Sequence, residues 1–243
     1  MTGPIVVFGG GGFVGSAIAR AAVGASKRVV SVTRRGAAPA WCAAQPWSAK
    51  VEWTTGDALD PSTYEAALSG ASAVVIAVGT PPLPFVDEAW QRKMNGQTNV
   101  AAIEAAAAAD VPRLVLVNAT LPSWAAAGYR KGKADAEAAA VAYAAGDGRR
   151  ALVLKPGAVS GTRRDLAVPL PLWVALSPLT AAMTQFRGAT EAACRAVPLL
   201  DGALVPPAPV EALAAAALAH IGDAGAGAAV TTLDPYAIVA AGK

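Results

Sequence analysis

Short apolar runs punctuate this chain at intervals of a few tens of residues. Residues 4–8, 28–32, 73–78, 113–117 and 151–155 are apolar almost without interruption. Unbroken hydrophobicity over so few positions predicts strands covered on both faces, as in a parallel sheet. Residues 51–54 read as a further strand, third in chain order. Between the strands lie runs with helical spacing, residues 16–23, 62–68, 86–109 and 131–145, and the alanine-rich stretch 212–218 reads as a final packed helix. Strand and helix alternate throughout, which predicts an α/β fold built on a doubly wound parallel sheet.

The first strand is followed by Gly9-Gly10-Gly11-Gly12-Phe13-Val14-Gly15 and then by the first helical run. Glycines at Gly9, Gly12 and Gly15 let a pyrophosphate approach the backbone, Phe13 and Val14 of the same turn are expected to line the cofactor, and the helix that follows turns its positive end toward the anion. This order of elements predicts a Rossmann, NAD(P)-binding fold. After the second strand, an acidic side chain would accept from a free ribose 2′-hydroxyl; the chain has Thr33-Arg34-Arg35 instead. Two guanidiniums suit a 2′-phosphate, so the expected cofactor is NADP(H). Asp57, after the third strand, reads either as an adenine contact or as a turn aspartate ahead of Asp60-Pro61. Gly79 and Thr80, before the prolines Pro81, Pro82 and Pro84, stand where ribose and pyrophosphate would lie.

With 243 residues the chain is expected to form one domain, residues 1–243, with a small apolar C-terminal cap over roughly 160–210. It is 54% hydrophobic and 15% charged, which predicts a globular protein with apolar faces beyond its own core. The net charge of +3 comes from scattered pairs such as Arg149-Arg150, with no basic stripe, so nucleic acid is not an expected partner. Cys42 and Cys194 lie far apart and His220 is the single histidine, so neither a metal site nor a Ser-His-Asp triad is expected. His220 reads as a structural residue near a helix C-terminus. The first strand begins at Pro4, leaving no room here for a signal or transit peptide; one removed earlier stays open.

The glycine turn, Gly56-Asp57-Ala58-Leu59-Asp60, Asn99 with Ile103-Glu104-Ala105-Ala106, Tyr129-Arg130-Lys131-Gly132-Lys133 and Lys155-Pro156-Gly157 together resemble the atypical or extended short-chain dehydrogenases/reductases. The likeness covers about the first two thirds of the chain. Val6-Val7-Phe8-Gly9-Gly10 through Val29-Val30-Ser31-Val32-Thr33-Arg34 is similar to a narrower branch. That branch contains the nucleotide-binding accessory subunit of respiratory complex I and a mitochondrial protein of coenzyme Q biosynthesis. The resemblance implies that Tyr129 and Lys133 are the catalytic tyrosine and lysine. They sit four residues apart on one helix face, with the lysine cation drawing the phenol toward ionisation and also holding the nicotinamide ribose. The third member implied is a hydroxyl after the fifth strand, Thr120 or Ser123. The connection from Thr120 to Tyr129 is shorter than a typical reductase uses.

From Leu166 to Phe186 the chain carries no charge. This run is as long as a bilayer span, but Pro169, Pro171 and Pro178 argue against a continuous helix, and residues 66–86 are equally free of charge while spanning a helix end, a strand and a loop. The run reads as a cap that packs on the core, lines a pocket for a small apolar substrate around Trp173, or meets a membrane protein complex or lipid surface. Membership of the narrower branch implies an accessory or assembly component of a membrane-associated respiratory or quinone-related complex, with the nucleotide in a structural role. The compartment expected is an organelle, a mitochondrion ahead of a plastid, with peripheral membrane attachment. Two readings stay beside it: an NADPH-dependent reductase of an apolar carbonyl or quinone-like substrate, and an NADP(H)-sensing regulator.

Overall fold

The computed structural model describes residues 3–81, 86–166, 168–200, 202–223 and 227–242; Pro82 and Pro84 lie outside the described residues. Strands β1 (Ile5–Phe8), β2 (Val29–Thr33), β3 (Val51–Thr55), β4 (Ala73–Ile76), β5 (Arg113–Val117) and β6 (Arg150–Leu154) follow the apolar runs closely. Two-residue strands β7 (Val159–Ser160), β8 (Thr162–Arg163), β9 (Leu170–Pro171) and β10 (Ala208–Pro209) belong to the cap, and β11 (Val230–Leu233) returns to the main sheet. The helices are α1 (Phe13–Gly24), α2 (Ala40–Ala43), α3 (Glu65–Leu68), α4 (Glu88–Arg92), α5 (Thr98–Ala108), α6 (Ala127–Ala144), α7 (Leu172–Gln185), α8 (Arg187–Ala196), α9 (Val210–Gly222) and α10 (Pro235–Ala241).

The main sheet has seven parallel strands in the order β11-β6-β5-β4-β1-β2-β3. Successive side chains on a strand face opposite ways, and each face has its own core. Ile5 and Val7 pack with Ile18 of α1, Leu213 of α9 and Ile238 of α10. Val6 and Phe8 pack on the other side with Tyr64, Ile103 of α5 and Tyr143 of α6. Full burial of such side chains contributes about 1.5–3 kcal/mol each, and covering both faces explains why the strands show no alternation. Strand order reverses between β1 and β4, which opens a crevice at the carboxyl ends of these strands.

Three expectations are corrected. The helix expected over 86–109 is interrupted: α4 passes through a π-helical turn, Lys93–Gln97, before continuing as α5. There Gly96 lies against α6, where an added Cβ would stand 2.8 Å from Gly132 Cα. Helix α6 starts at Ala127, four residues earlier than the spacing predicts. Its Gly128 and Gly132 weaken the helical pattern but admit close approach, since a Cβ on Gly128 would fall 2.1 Å from Glu88 O. The apolar run does contain a continuous helix, α7, with Pro178 inside it. Proline there leaves the Val174 carbonyl without a helical donor, and Val174 is exposed, where water can serve it. No helix among the described residues is long and apolar enough to cross a membrane.

Candidate functional site

Gly9 adopts φ +84°, and a Cβ on it would meet Ala77 O at 2.7 Å. A Cβ on Gly15 would meet Gly9 O at 2.2 Å, so this glycine is what allows α1 to start against the turn. Gly12 N–H donates to Gly9 O at 3.0 Å and closes the loop. Helix α1 has no capping side chain and no acidic residue in its first turn, where Phe13 and Val14 sit. Its first N–H groups have no helical acceptors and are left for an anion.

In front of this turn is a cavity of about 470 Å³. Of the residues expected at a dinucleotide, Gly9, Gly12, Thr33, Arg34 and Asp57 line it. Arg35 instead faces an adjoining hollow that Thr33 and Arg34 share. Both arginines are exposed, and neither appears in an ion pair among the described residues. Asp57 Oδ1 accepts from Leu59 N at 3.0 Å as a turn aspartate would, and the residue lines the cavity. Trp90, Lys93, Met94 and Thr98, from α4, the π turn and the start of α5, complete the wall and were missed from sequence.

The loop after β4 is held by a residue that sequence reasoning also missed. Asn95, fully buried on the π turn, accepts from Thr80 N and donates to Thr80 Oγ1, both at 3.0 Å. A Cβ on Gly79 would stand 2.8 Å from Asn95 Oδ1 and 3.6 Å from Lys133 Nζ. Gly79, Thr80, Asn95 and Lys133 thus meet just beyond the end of β4, and none of the four is among the described residues lining the cavity. The only sequence signal for Asn95 was its place one helical turn before Asn99, whose Nδ2 donates to Asn95 O at 3.0 Å.

Tyr129 and Lys133 share a face of α6, as their spacing predicts. Lys133 is 6% exposed and donates from Nζ to Val117 O at 3.0 Å. Burial pulls its ammonium down to about 8. Burial also pushes the Tyr129 phenol up to about 12, opposite in direction to the pull expected from a lysine cation; Nζ lies 5.9 Å from the ring centroid. Thr120 Oγ1 donates to Lys155 O at 2.8 Å, while Ser123 is exposed. One turn beyond Lys133, Glu137 forms an ion pair with Lys155 at 3.0 Å and accepts from Asn118 Nδ2 at the same distance. That contact ties α6 to the loops after β5 and β6.

Between those loops and the cap lies a second cavity of about 690 Å³. Thr120 and Tyr129 line its sheet side, and Leu176, Leu179 and Met183 of α7 line its cap side. Trp173, expected in such a pocket, is instead 53% exposed and outside its lining.

The glycine turn, the uncapped helix and the cavity before them fit a dinucleotide, and known proteins agree. The family described as NAD(P)H-binding matches residues 9–157. An uncharacterized chloroplastic protein of Arabidopsis thaliana is 34% identical over 223 residues, 90% of this chain and 71% of that protein. MIOREX complex component 2 of Saccharomyces cerevisiae is 39% identical over 77 residues, 31% of this chain and 28% of that protein. Among solved structures, a UDP-N-acetylglucosamine 4-epimerase from Methanobrevibacter ruminantium superposes with a TM-score of 0.66 at 15% identity, covering 96% of this chain and 77% of that one. MoeE5, solved with UDP-glucuronic acid and NAD, gives 0.63 at 19% identity over 96% and 76%. These two establish the fold. The family match begins at Gly9 and ends at Gly157, so it takes in the crevice at the strand ends, and the chain belongs to the NAD(P)H-binding family.

Proposed function

We propose that this protein holds NADP(H) as a structural cofactor and serves as an accessory component of a membrane-associated, respiratory or quinone-related assembly in an organelle. One observation carries the reading. The glycine turn and the uncapped start of α1 are available to a pyrophosphate, whereas burial pushes the Tyr129 phenol up to about 12 and the Lys133 amine is bound to a backbone carbonyl, which supports a role for the nucleotide other than turnover. Gly9, Gly12, Gly15 and the α1 N-terminus would hold the pyrophosphate, Arg34 and Arg35 the 2′-phosphate, and Lys133 with Thr80 the nicotinamide ribose. A bound dinucleotide stabilises by several kcal/mol through mass action alone. The names of the two relatives support the setting, one being chloroplastic and the other a complex component. So does the cap, where Trp173, Val174 and Phe186 are exposed and available to a partner or a lipid surface.

A second reading is a working reductase, favoured by the cavity that Tyr129 and Thr120 line. NADPH would supply hydride when bound, and the Tyr129 hydroxyl would give its proton to a carbonyl oxygen of an apolar substrate. The test is to purify the protein, identify released nucleotide by mass spectrometry and time its exchange against labelled NADPH. NADP(H) that exchanges over hours supports the structural role. Exchange within seconds favours turnover, and NADPH-dependent turnover that Tyr129→Phe abolishes without loss of nucleotide would replace the first reading by the second. Bound NAD(H), or no nucleotide, refutes the assignment of Arg34 and Arg35.

A further inference from the structure

The cavity beside Tyr129 has a chemistry of its own. Among the described lining residues the polar side chains are Glu88, Thr120 and Tyr129, with the Trp124 indole at the rim, and none is a lysine or arginine. An anionic head group would share the lining with Glu88 and meet no cation among the described lining residues, because the Lys133 amine, 5.9 Å from the Tyr129 ring centroid, is committed to Val117 O. Burying an unpaired charge is costly. A neutral oxygen, by contrast, has the Tyr129 hydroxyl, which stays protonated across the neutral range and can donate. Most of the other described lining residues are apolar, including Leu121, Leu179 and Met183.

The apolar lining does not stop at the mouth. Trp124 and Ala203 also border a shallow hollow of about 380 Å³ whose other walls are Leu199 and Leu200. Trp124 is 61% exposed and Leu199 64%, and the Trp124 indole is pinned by donating to Leu199 O at 3.0 Å. An apolar track therefore runs from the phenol through the mouth to the surface. Trp173 stands one helical turn before Leu176 on α7, which continues this surface along the cap.

We propose that this cavity binds a neutral amphiphile. Its oxygen-bearing head lies at Tyr129 and Thr120, and its hydrocarbon chain leaves over Trp124, Ala203 and Leu199. The proposal deepens the reading of the protein as a membrane-associated nucleotide binder and rests on it for the nucleotide's place beside the cavity. It commits the pocket to lipid-like ketones, esters or quinones and excludes fatty acids and phosphorylated heads.

The test uses the full chain with NADPH and a series of methyl ketones from hexanone to dodecanone, titrated calorimetrically beside carboxylic acids of the same lengths. Each added methylene is expected to tighten ketone binding by up to about fourfold until the chain reaches the mouth. The acids should bind at least about tenfold more weakly than the matching ketones. Ala203→Trp narrows the mouth and Leu179→Asp charges the wall; both positions are exposed, folding is checked by circular dichroism, and each should reduce ketone affinity. No ketone binding, affinity independent of length, equal binding of acids, or indifference to both substitutions would overturn the proposal. NADPH binding is read separately from nicotinamide fluorescence. Ketone binding without NADPH binding would therefore sink the nucleotide reading and leave the amphiphile site standing.

Discussion

Lys133→Met should make the nucleotide-free protein more stable at neutral pH, although it removes a hydrogen bond. The lysine is buried and its ammonium is pulled from 10.5 to about 8. Below about 8 the folded state carries a desolvated charge, and the cost is present in full. Between about 8 and 10.5 the unfolded chain binds a proton that the folded chain does not, so stability rises with pH across that window. At about 1.4 kcal/mol per pH unit, the full cost is roughly 3 kcal/mol. Methionine fills similar space without charge, but Val117 O loses its donor from Nζ, a loss of about 1 kcal/mol. The net expectation is a gain of about 2 kcal/mol at pH 7, equivalent to a melting temperature about 4–8 °C higher for a chain of this size.

Urea unfolding of both proteins at pH 7 and pH 9.5, with nucleotide removed, measures the effect. The wild type should gain stability between the two pH values, and Lys133→Met should gain much less. Tyr129 does not confuse the comparison, because its phenol is raised from 10.0 to about 12 and contributes a loss of stability only above 10. Added NADPH should stabilise the wild type more than the variant if Lys133 holds the nicotinamide ribose. A variant less stable at pH 7 that keeps the wild-type rise with pH would refute the view that this lysine is held against its own solvation.

Replacing Arg34 and Arg35 together by serine should lower the preference for NADPH over NADH by about thirtyfold, measured by fluorescence titration at fixed salt. An unchanged ratio would show that neither guanidinium meets a 2′-phosphate. Gly15→Ala places a methyl 2.2 Å from Gly9 O, so the turn must open; a loss of about 1–3 kcal/mol and of dinucleotide binding is expected in chemical denaturation and titration. Asn95→Ala removes the partners of Thr80 N and Oγ1 and should cost about 2–3 kcal/mol. Faster amide exchange at Gly79 and Thr80 would locate that effect, and unaltered exchange there would contradict it.

The parts of the fold that read directly from sequence are those where burial is symmetric. Strands β1, β4 and β5 are covered on both faces, and an apolar run of that length has few other solutions. The glycine turn was readable because sterics leave only glycine at positions such as Gly9 and Gly15. Strand β11, with Thr231 and Thr232 on a sheet edge, carries little of that signal, and its pairing with β6 depends on the sheet already being there. The π turn escaped for a different reason. One extra residue in a helical turn leaves the apolar pattern of an alanine-rich helix nearly unchanged, yet it is on this turn that Asn95 is buried against the loop after β4.

Helix α6 shows where spacing stops being enough. Tyr129 and Lys133 lie on a common face because of the helical period, and that much needs no structure. Their ionisation, however, is set by what surrounds that face. The Lys133 amine is committed to Val117 O on β5, and the phenol is buried beside an apolar cap, so proximity in sequence does not become the coupling of cation and phenol that the spacing suggests. Glu137 continues the same face and holds Lys155 and Asn118, residues brought to it by β6 and β5. The helix thus acts as a strut that fixes the loops after β5 and β6 beside the second cavity. Any chemistry at Tyr129 depends on ligands that change its surroundings: a dinucleotide drawing Lys133 off its carbonyl, and an oxygen-bearing head accepting from the phenol.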